Sequence, residues 1–330
     1  MRLGRKSILS ASFLLIVLMI LVTGCGQSNT PAPEKKSEVN YPERPINMIV
    51  PYDPGGGSDM LTRMLDKHAK EQFGNNFTFV YKPGAGGAIG ASDIAKEKTD
   101  GYSIGTVNIP NYLLQSISGS GDFDVDSFDY ICQTASDPQI LITPKGSNYT
   151  TVEEFVQAAK ENPKKLTVGV PGALGDGHVA TLMLMEKAGI EVSIVPLKGG
   201  SDLLSAILGK HVDAGMANIG VVISEKDNFN ILGVTFDRRH DFVPDVPTFK
   251  EKGYDVQSFV GRIYVAPKGL APEVLQKLET GLKNIWDKKE YQDDMKNAKF
   301  STDWKTGAEV KEFVTNYYTE AKELIEKYNK

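Results

Sequence analysis

The 330-residue chain has little cysteine and little histidine. It carries two cysteines, Cys25 and Cys132, and four histidines, and these numbers exclude a disulfide framework. His68, His178, His211 and His240 lie too far apart in sequence to form a metal motif, so no metal site is expected. Familiar catalytic signatures are also missing. No Gly-Lys-Ser or Gly-Lys-Thr follows a glycine turn, and neither Gly-x-Ser-x-Gly nor His-Glu-x-x-His occurs. Asp59 with His178 is the one acid/base pair that can be drawn, and without an activated nucleophile neither an enzyme nor a cofactor is expected. Positive charge is short as well. The formal net charge of −5 includes Arg2, Arg5 and Lys6 of the leader, so losing those three charges leaves −8, which argues against nucleic acid or an anionic membrane surface as a partner.

Long apolar runs are absent apart from Ile8 to Val22, which follows the basic leader residues and ends in Val22-Thr23-Gly24-Cys25. A basic region, an apolar run of this length and a small-residue site make a secretory signal peptide over 1–24. Val-Thr-Gly-Cys resembles the lipobox of bacterial lipoproteins, which implies lipidation of Cys25 and a membrane anchor. Residues 25–42, with Pro31, Pro33, Glu34, Lys35 and Lys36, have too few apolar side chains to fold and read as a tether. Once Cys25 is lipidated Cys132 has no partner for a bridge, and a small buried hydrophobe is its expected role.

What the chain does have is glycine in three turns. Ile49 to Asp59 reads Ile-Val-Pro-Tyr-Asp-Pro-Gly-Gly-Gly-Ser-Asp, a short buried strand, an unobstructed turn and a helix start that Ser58 and Asp59 can cap. Such a junction leaves backbone N–H groups pointing at the gap before the helix, with the positive end of the helix dipole behind them, and so binds anions. Three to five charge-assisted hydrogen bonds of roughly 1.5–3 kcal/mol each suffice for the ~8 kcal/mol of a micromolar carboxylate complex. A second loop runs from Lys82 to Gly90 and includes Ala85; it misses the dinucleotide fingerprint because Ile89 takes the third glycine's place. A third, Pro171 to His178, follows a strand from Leu166 to Val170. His178 falls in the first turn of its helix, where the dipole favours a neutral ring that either donates to a ligand or is tied to its own loop.

Strand and helix patterns alternate from Arg44 onward, which predicts an α/β architecture with a mainly parallel sheet. Strands end at Asn108 and at Asn218, and ligands of open α/β sheets collect outside such ends. Tyr130 to Thr134 and Gln139 to Thr143 read as two strands separated by Ser136-Asp137-Pro138, with a crossover near Ile142. Val260 to Ala266 recrosses, and the apolar stripe of Val310, Phe313, Val314, Tyr317, Ala321, Leu324 and Ile325 docks a C-terminal helix. The division expected is 43–142 plus 259–330 for one lobe and 143–258 for the other, with a ligand cleft between them.

Several segments together resemble a known family. Tyr41-Pro-Glu-Arg-Pro-Ile-Asn, Val50 to Asp59, Lys82 to Gly90, Asp100-Gly-Tyr102, Val195 to Gly200, Asp237-Arg-Arg, Pro244 to Thr248 and Ala266-Pro-Lys-Gly269 are similar to the Bug-type (TctC) extracytoplasmic solute receptors of tripartite tricarboxylate transporters. The resemblance implies a two-lobed periplasmic binding protein fold of type II, monomeric, whose facing loops grip a ligand carboxylate by main-chain amides. Carried onto this chain, the grip falls on Tyr52, Asp53, Gly55, Gly56, Gly57 and Ser58, and on Gly172, Ala173, Gly175, Asp176 and His178, with Ala85, Asn108 and Asn218 beside them. It further implies a small organic carboxylate as ligand and the membrane permease subunits of a transporter as partner. A sensor feeding a membrane kinase through the same cleft, and an extracytoplasmic enzyme, are the alternatives. Asp53 and Asp176 stand where the family has smaller residues, so the ligand is expected to carry an amine or few negative charges. Arg262, if it faces the cleft rather than the surface, would add a second carboxylate contact.

Overall fold

The computed structural model describes residues 40–328; the expected leader, Cys25 and the tether up to Val39 lie outside the described residues. Packing begins at Tyr41, inside the stretch read as tether. Its ring is buried and its hydroxyl donates to the Gly101 carbonyl at 2.6 Å.

The first half of the fold winds β1 (Asn47–Val50), α1 (Gly57–Phe73), β2 (Thr78–Tyr81), α2 (Ala88–Lys96), β3 (Ser103–Ile109) and α3 (Asn111–Ser118). The second winds α4 (Val152–Glu161), β5 (Thr167–Pro171), α5 (Asp176–Ala188), β6 (Ser193–Leu197), α6 (Gly200–Leu208), β7 (Ala214–Asn218), α7 (Ile219–Val222) and β8 (Phe229–Val234). Between them runs β4 (Phe128–Pro144), and after them come β9 (Phe259–Pro267), α8 (Pro272–Trp286), α9 (Lys289–Asn297), β10 (Thr302–Thr306) and α10 (Gly307–Tyr328). The strands lie in the order β2-β1-β3-β9-β4-β7-β5-β6, with β10 and β8 also pairing with β4. This is the α/β fold of the periplasmic binding proteins, two half-sheets with helices on both faces.

Two expectations are corrected. The predicted pair of strands around Ser136-Asp137-Pro138 is one strand, whose pairing with β9 ends at Pro138 and whose pairing with β7 starts at Gln139. Asp-Pro is a turn signal, but here Pro138 falls where the strand leaves one half-sheet for the other, and partners on both sides override the local preference. The handover lies ahead of the boundary expected at 142. The sheet is also not mainly parallel. Its wings are parallel, β1 with β2 and β3, and β5 with β6 and β7, whereas every pairing of β4 and β9 is antiparallel. β4 and β9 run against the wound strands because they carry the chain between halves.

Candidate ligand cleft

At the first turn, the glycines do a different job from the one expected. The helix begins at Gly57 with Gly56 as its N-cap, so Ser58 and Asp59 sit inside the first turn and do not cap it. Gly55 donates its N–H to Asp59 Oδ2 at 2.8 Å, and Gly56 donates to the Asp53 carbonyl at 3.2 Å. Both amides expected to face a ligand are therefore used to shape the loop. The first-turn N–H groups of Gly57 and Ser58 have no acceptor within the helix, as at any helix N-terminus.

Ser58 is the junction of the first half. Its buried hydroxyl lies 3.1 Å from both amide atoms of Asn108, and Arg262 Nη1 donates to it at 3.3 Å. Asn108 and Arg262 are register partners on β3 and β9, which puts both side chains on one face. Tyr52 completes the group, its hydroxyl accepting the Asn108 N–H at 3.2 Å. Burial pushes the Tyr52 phenol up to about 12 against the opposing charge of Arg262 and the Asn108 hydrogen bond, so it stays neutral with a proton to donate. The second glycine loop holds this ring in place. Gly87 has φ 106°, and a Cβ there would stand 2.9 Å from Tyr52.

In the third loop Gly172 donates to the Leu197 carbonyl at 2.8 Å, so its amide too is spent inside the fold. Leu174 donates to His178 Nδ1 at 3.4 Å, which leaves the His178 proton on Nε2. Burial holds this imidazole below its ordinary pKa. The histidine is tied to its own loop by one nitrogen and has no hydrogen bond to the other among the described residues. Asp176 occupies the first position of α5, buried, its carboxylate accepting Gln139 Nε2 at 2.9 Å. Gly177 allows the start of α5 to lie on β7, since a Cβ there would stand 2.6 Å from the Met216 carbonyl.

The two halves meet at Arg262. Its half-buried guanidinium touches Ser58 at the start of α1, and its charge acts on Tyr52, on Asp176 at the start of α5, and on Asp137 of β4. Burial lowers the pKa of the guanidinium, and those neighbours pull it back. Asp137 is pushed up to about 6, chiefly by burial and further by Asp176, against the Arg262 charge and a hydrogen bond from the Gly220 N–H at 3.2 Å. Asn218 closes the far side, its Nδ2 reaching the Asp137 carbonyl at 3.4 Å. A cavity of about 490 Å³ is lined by Asp137, Asn218, Val260, Arg262, Lys299 and Phe300 among others.

Tyr52, Gly57, Ser58, Asn108, Asp176 and Asn218 are thus gathered around Arg262 and Asp137. Asp53, Ala85 and Ala173 are exposed and stand outside this network, Ala85 held by its carbonyl to Gln115 Nε2 at 3.2 Å. Sequence reasoning passed over Asp137, inside the stretch read as a turn, and Gln139, read only as the start of the strand that follows. Arg262 did leave a signal: an arginine within the apolar run Phe259-Val-Gly-Arg-Ile-Tyr-Val needs a buried reason to be there.

Comparisons agree with this architecture. A TctC solute-binding protein from Polaromonas, solved without ligand, superposes with a TM-score of 0.81 at 28% identity over 87% of this chain and 99% of that one. Rpa4515 of R. palustris, solved with adipate, shares the fold with a TM-score of 0.65 at 22% identity over 87% of this chain and 97% of its own. A protein of Cupriavidus necator described as the UPF0065 protein in the gbd 5'region is 29% identical over 296 residues, 89% of this chain and 90% of the relative. Fold and neighbours together define an extracytoplasmic solute-binding receptor. The tripartite tricarboxylate transporter family receptor model, TctC, matches residues 61–330, and the chain belongs to that family. Among the described residues no helix is long and apolar enough to cross a membrane.

Proposed function

We propose that this receptor closes on a small organic carboxylate and presents it to the membrane permease subunits of a tripartite transporter, without chemical turnover. The observation that carries the reading is that Arg262 bonds to Ser58 in the first turn of α1 while its charge also acts on Asp176, the first residue of α5, so that one cation serves two helix N-termini. Gly57, Ser58, Asp176, Gly177 and His178 would offer first-turn N–H groups, with Tyr52, Asn108 and Asn218 at the rim. The lobes would hinge where β4 changes half-sheets at Pro138–Gln139 and where β9 begins at Phe259. That Rpa4515 was solved with adipate supports a carboxylate as the ligand class.

Cys25 would carry the lipid that holds a monomeric receptor at the outer face of the membrane. Incorporation of labelled palmitate that Cys25→Ala abolishes is the expected result for that part. For the ligand, a thermal-shift screen of the purified protein over mono-, di- and tricarboxylates is decisive. A ligand at 100 times its Kd stabilises by ~2.7 kcal/mol, a shift of several degrees. A screen in which no carboxylate moves the transition would overturn the reading.

A further inference from the structure

Arg262 and Asp137 sit on the same face of adjacent strands. Ala135 pairs with Arg262 and Asp137 with Val260, so the two charged side chains are diagonal cross-strand neighbours, roughly 7–8 Å apart at the backbone. A free Asp and Arg at that separation would ordinarily join. Here they make no ion pair with each other among the described residues, because each is held back from its own side. Arg262 is drawn toward Ser58 by its single hydrogen bond at 3.3 Å, and Asp137 is held by the Gly220 N–H at 3.2 Å. A guanidinium has five N–H donors and a carboxylate about four acceptor sites. Nearly all of that capacity is unused at both groups, and both line the same 490 Å³ cavity. Half-buried groups of opposite sign kept apart across an open space are a socket for a molecule that bears the complementary pair.

We propose that the ligand is an amino acid, its carboxylate held by Arg262 with the first-turn amide groups of α1 and its ammonium held by Asp137. This rests on the receptor reading above and narrows its ligand class. The Gly57 backbone lies against the guanidinium, a Cβ at Gly57 standing 3.4 Å from Arg262 Nη2, so amides and arginine converge on one carboxylate. Asp137 lies on the other side of the gap, a short carbon away in the ligand. Val221, Ile223, Val260 and Phe300 give the same cavity an apolar wall for a side chain. Asp53 and Asp176, the carboxylates that first pointed to an amine, are not its partners in this arrangement: one is exposed and the other accepts from Gln139.

The test uses ligands that differ in one group. Calorimetry on the purified protein compares each of the common L-amino acids with its 2-hydroxy and its unsubstituted counterpart, as in aspartate, malate and succinate or leucine and its two analogues. At least one amino member is expected to bind tenfold or more tighter than both counterparts. Asp137→Asn is expected to erase that preference, and Arg262→Gln to weaken every member at least tenfold. Counterparts that bind as well as the amino acids overturn the inference and leave the carboxylate receptor standing. A preference that survives Asp137→Asn likewise removes Asp137 from the role. Binding by no member of any set overturns both readings. If Asp137→Asn does not fold, the ranking by the unaltered protein alone decides.

Discussion

Asp59 is the residue on which the first loop is built, and replacing it by asparagine gives a measurable cost. The carboxylate is buried and accepts the Gly55 N–H at 2.8 Å, the Tyr81 hydroxyl at 2.7 Å and Arg63 Nε at 3.1 Å. Asparagine keeps the shape but turns an NH₂ toward donors and removes the charge. Losing the charge-assisted bond to Gly55 costs about 1.5–3 kcal/mol and the Tyr81 bond about 1 kcal/mol. Arg63 is more than half exposed, so its pair adds about 0.5 kcal/mol or less. A total of about 3 kcal/mol corresponds, for a fold of this size, to a fall in Tm of about 5 °C. The pH dependence fixes the cause. Burial alone would raise the Asp59 pKa, but the bonds from Gly55, Tyr81 and Arg63 outweigh it and hold the carboxyl below its ordinary value. Its contribution is therefore complete above the unfolded pKa of about 3.9 and is lost as pH falls through the lower folded value. Thermal unfolding followed by circular dichroism should show the full gap between the unaltered protein and Asp59→Asn at pH 7, closing toward pH 2. A gap under about 2 °C at pH 7, or one that persists undiminished in acid, refutes the reasoning.

Gly87→Ala forces a side chain into a left-handed backbone and onto the Tyr52 ring, at an expected cost of about 2 kcal/mol or more. Urea unfolding should show a lower midpoint at unchanged slope, and an unchanged midpoint would mean that the second loop does not brace Tyr52. Cys132 is fully buried, and burial, aided by the charge of Glu279, pushes its thiol well above the usual range. It should resist a thiol reagent until the protein unfolds, and Cys132→Ser should cost about 1–3 kcal/mol by placing a hydroxyl in an apolar site. Rapid labelling of the native protein would contradict both.

The wound parts of the fold were legible because period and punctuation agree there. Of the α1 pattern Met60, Leu61, Met64, Leu65 and Ala69, the residues Leu61, Leu65 and Ala69 are buried while Met60 is exposed, and in the α10 stripe Val310, Val314, Tyr317, Ala321 and Leu324 are buried while Phe313 and Ile325 are partly so. The crossing was not legible, because strand pairing on both sides of β4 decides its state and no local signal reports partners far away in sequence. The same limit applied to the cleft. Glycine turns before helices located the starts of α1 and α5 to within a few residues, yet which amides remain free depends on Asp59, Asp53 and Leu197 taking three of them. Nothing in a Gly-Gly-Gly run records that. A side-chain partner such as Arg262 lies 204 residues from Ser58 and becomes visible only in register.

Strand alternation also determines from which side the cleft is reached. On β9, Phe259 stacks on Phe313 of α10, whereas Arg262 and Tyr264 point the other way, toward Ser58 and Thr62 of α1. α10 lies on the Phe259 side and touches both halves, with Tyr317 against Ser258 and with Lys187 of α5 paired to Glu320 at 2.7 Å. That ion pair is partly exposed and contributes at most about 1 kcal/mol, so the buried apolar stripe does the docking, at about 1.5–3 kcal/mol for each large side chain. Parting the halves on that face would strip several such side chains at once. On the Arg262 face the space between the halves is already a cavity. Opening there breaks few contacts, and a ligand entering from that side meets a cavity wall that holds Arg262, Asp137 and Lys299. Amide exchange should accordingly be slow along α10 and faster at the first turns of α1 and α5, and the reverse order would place the hinge on the other face.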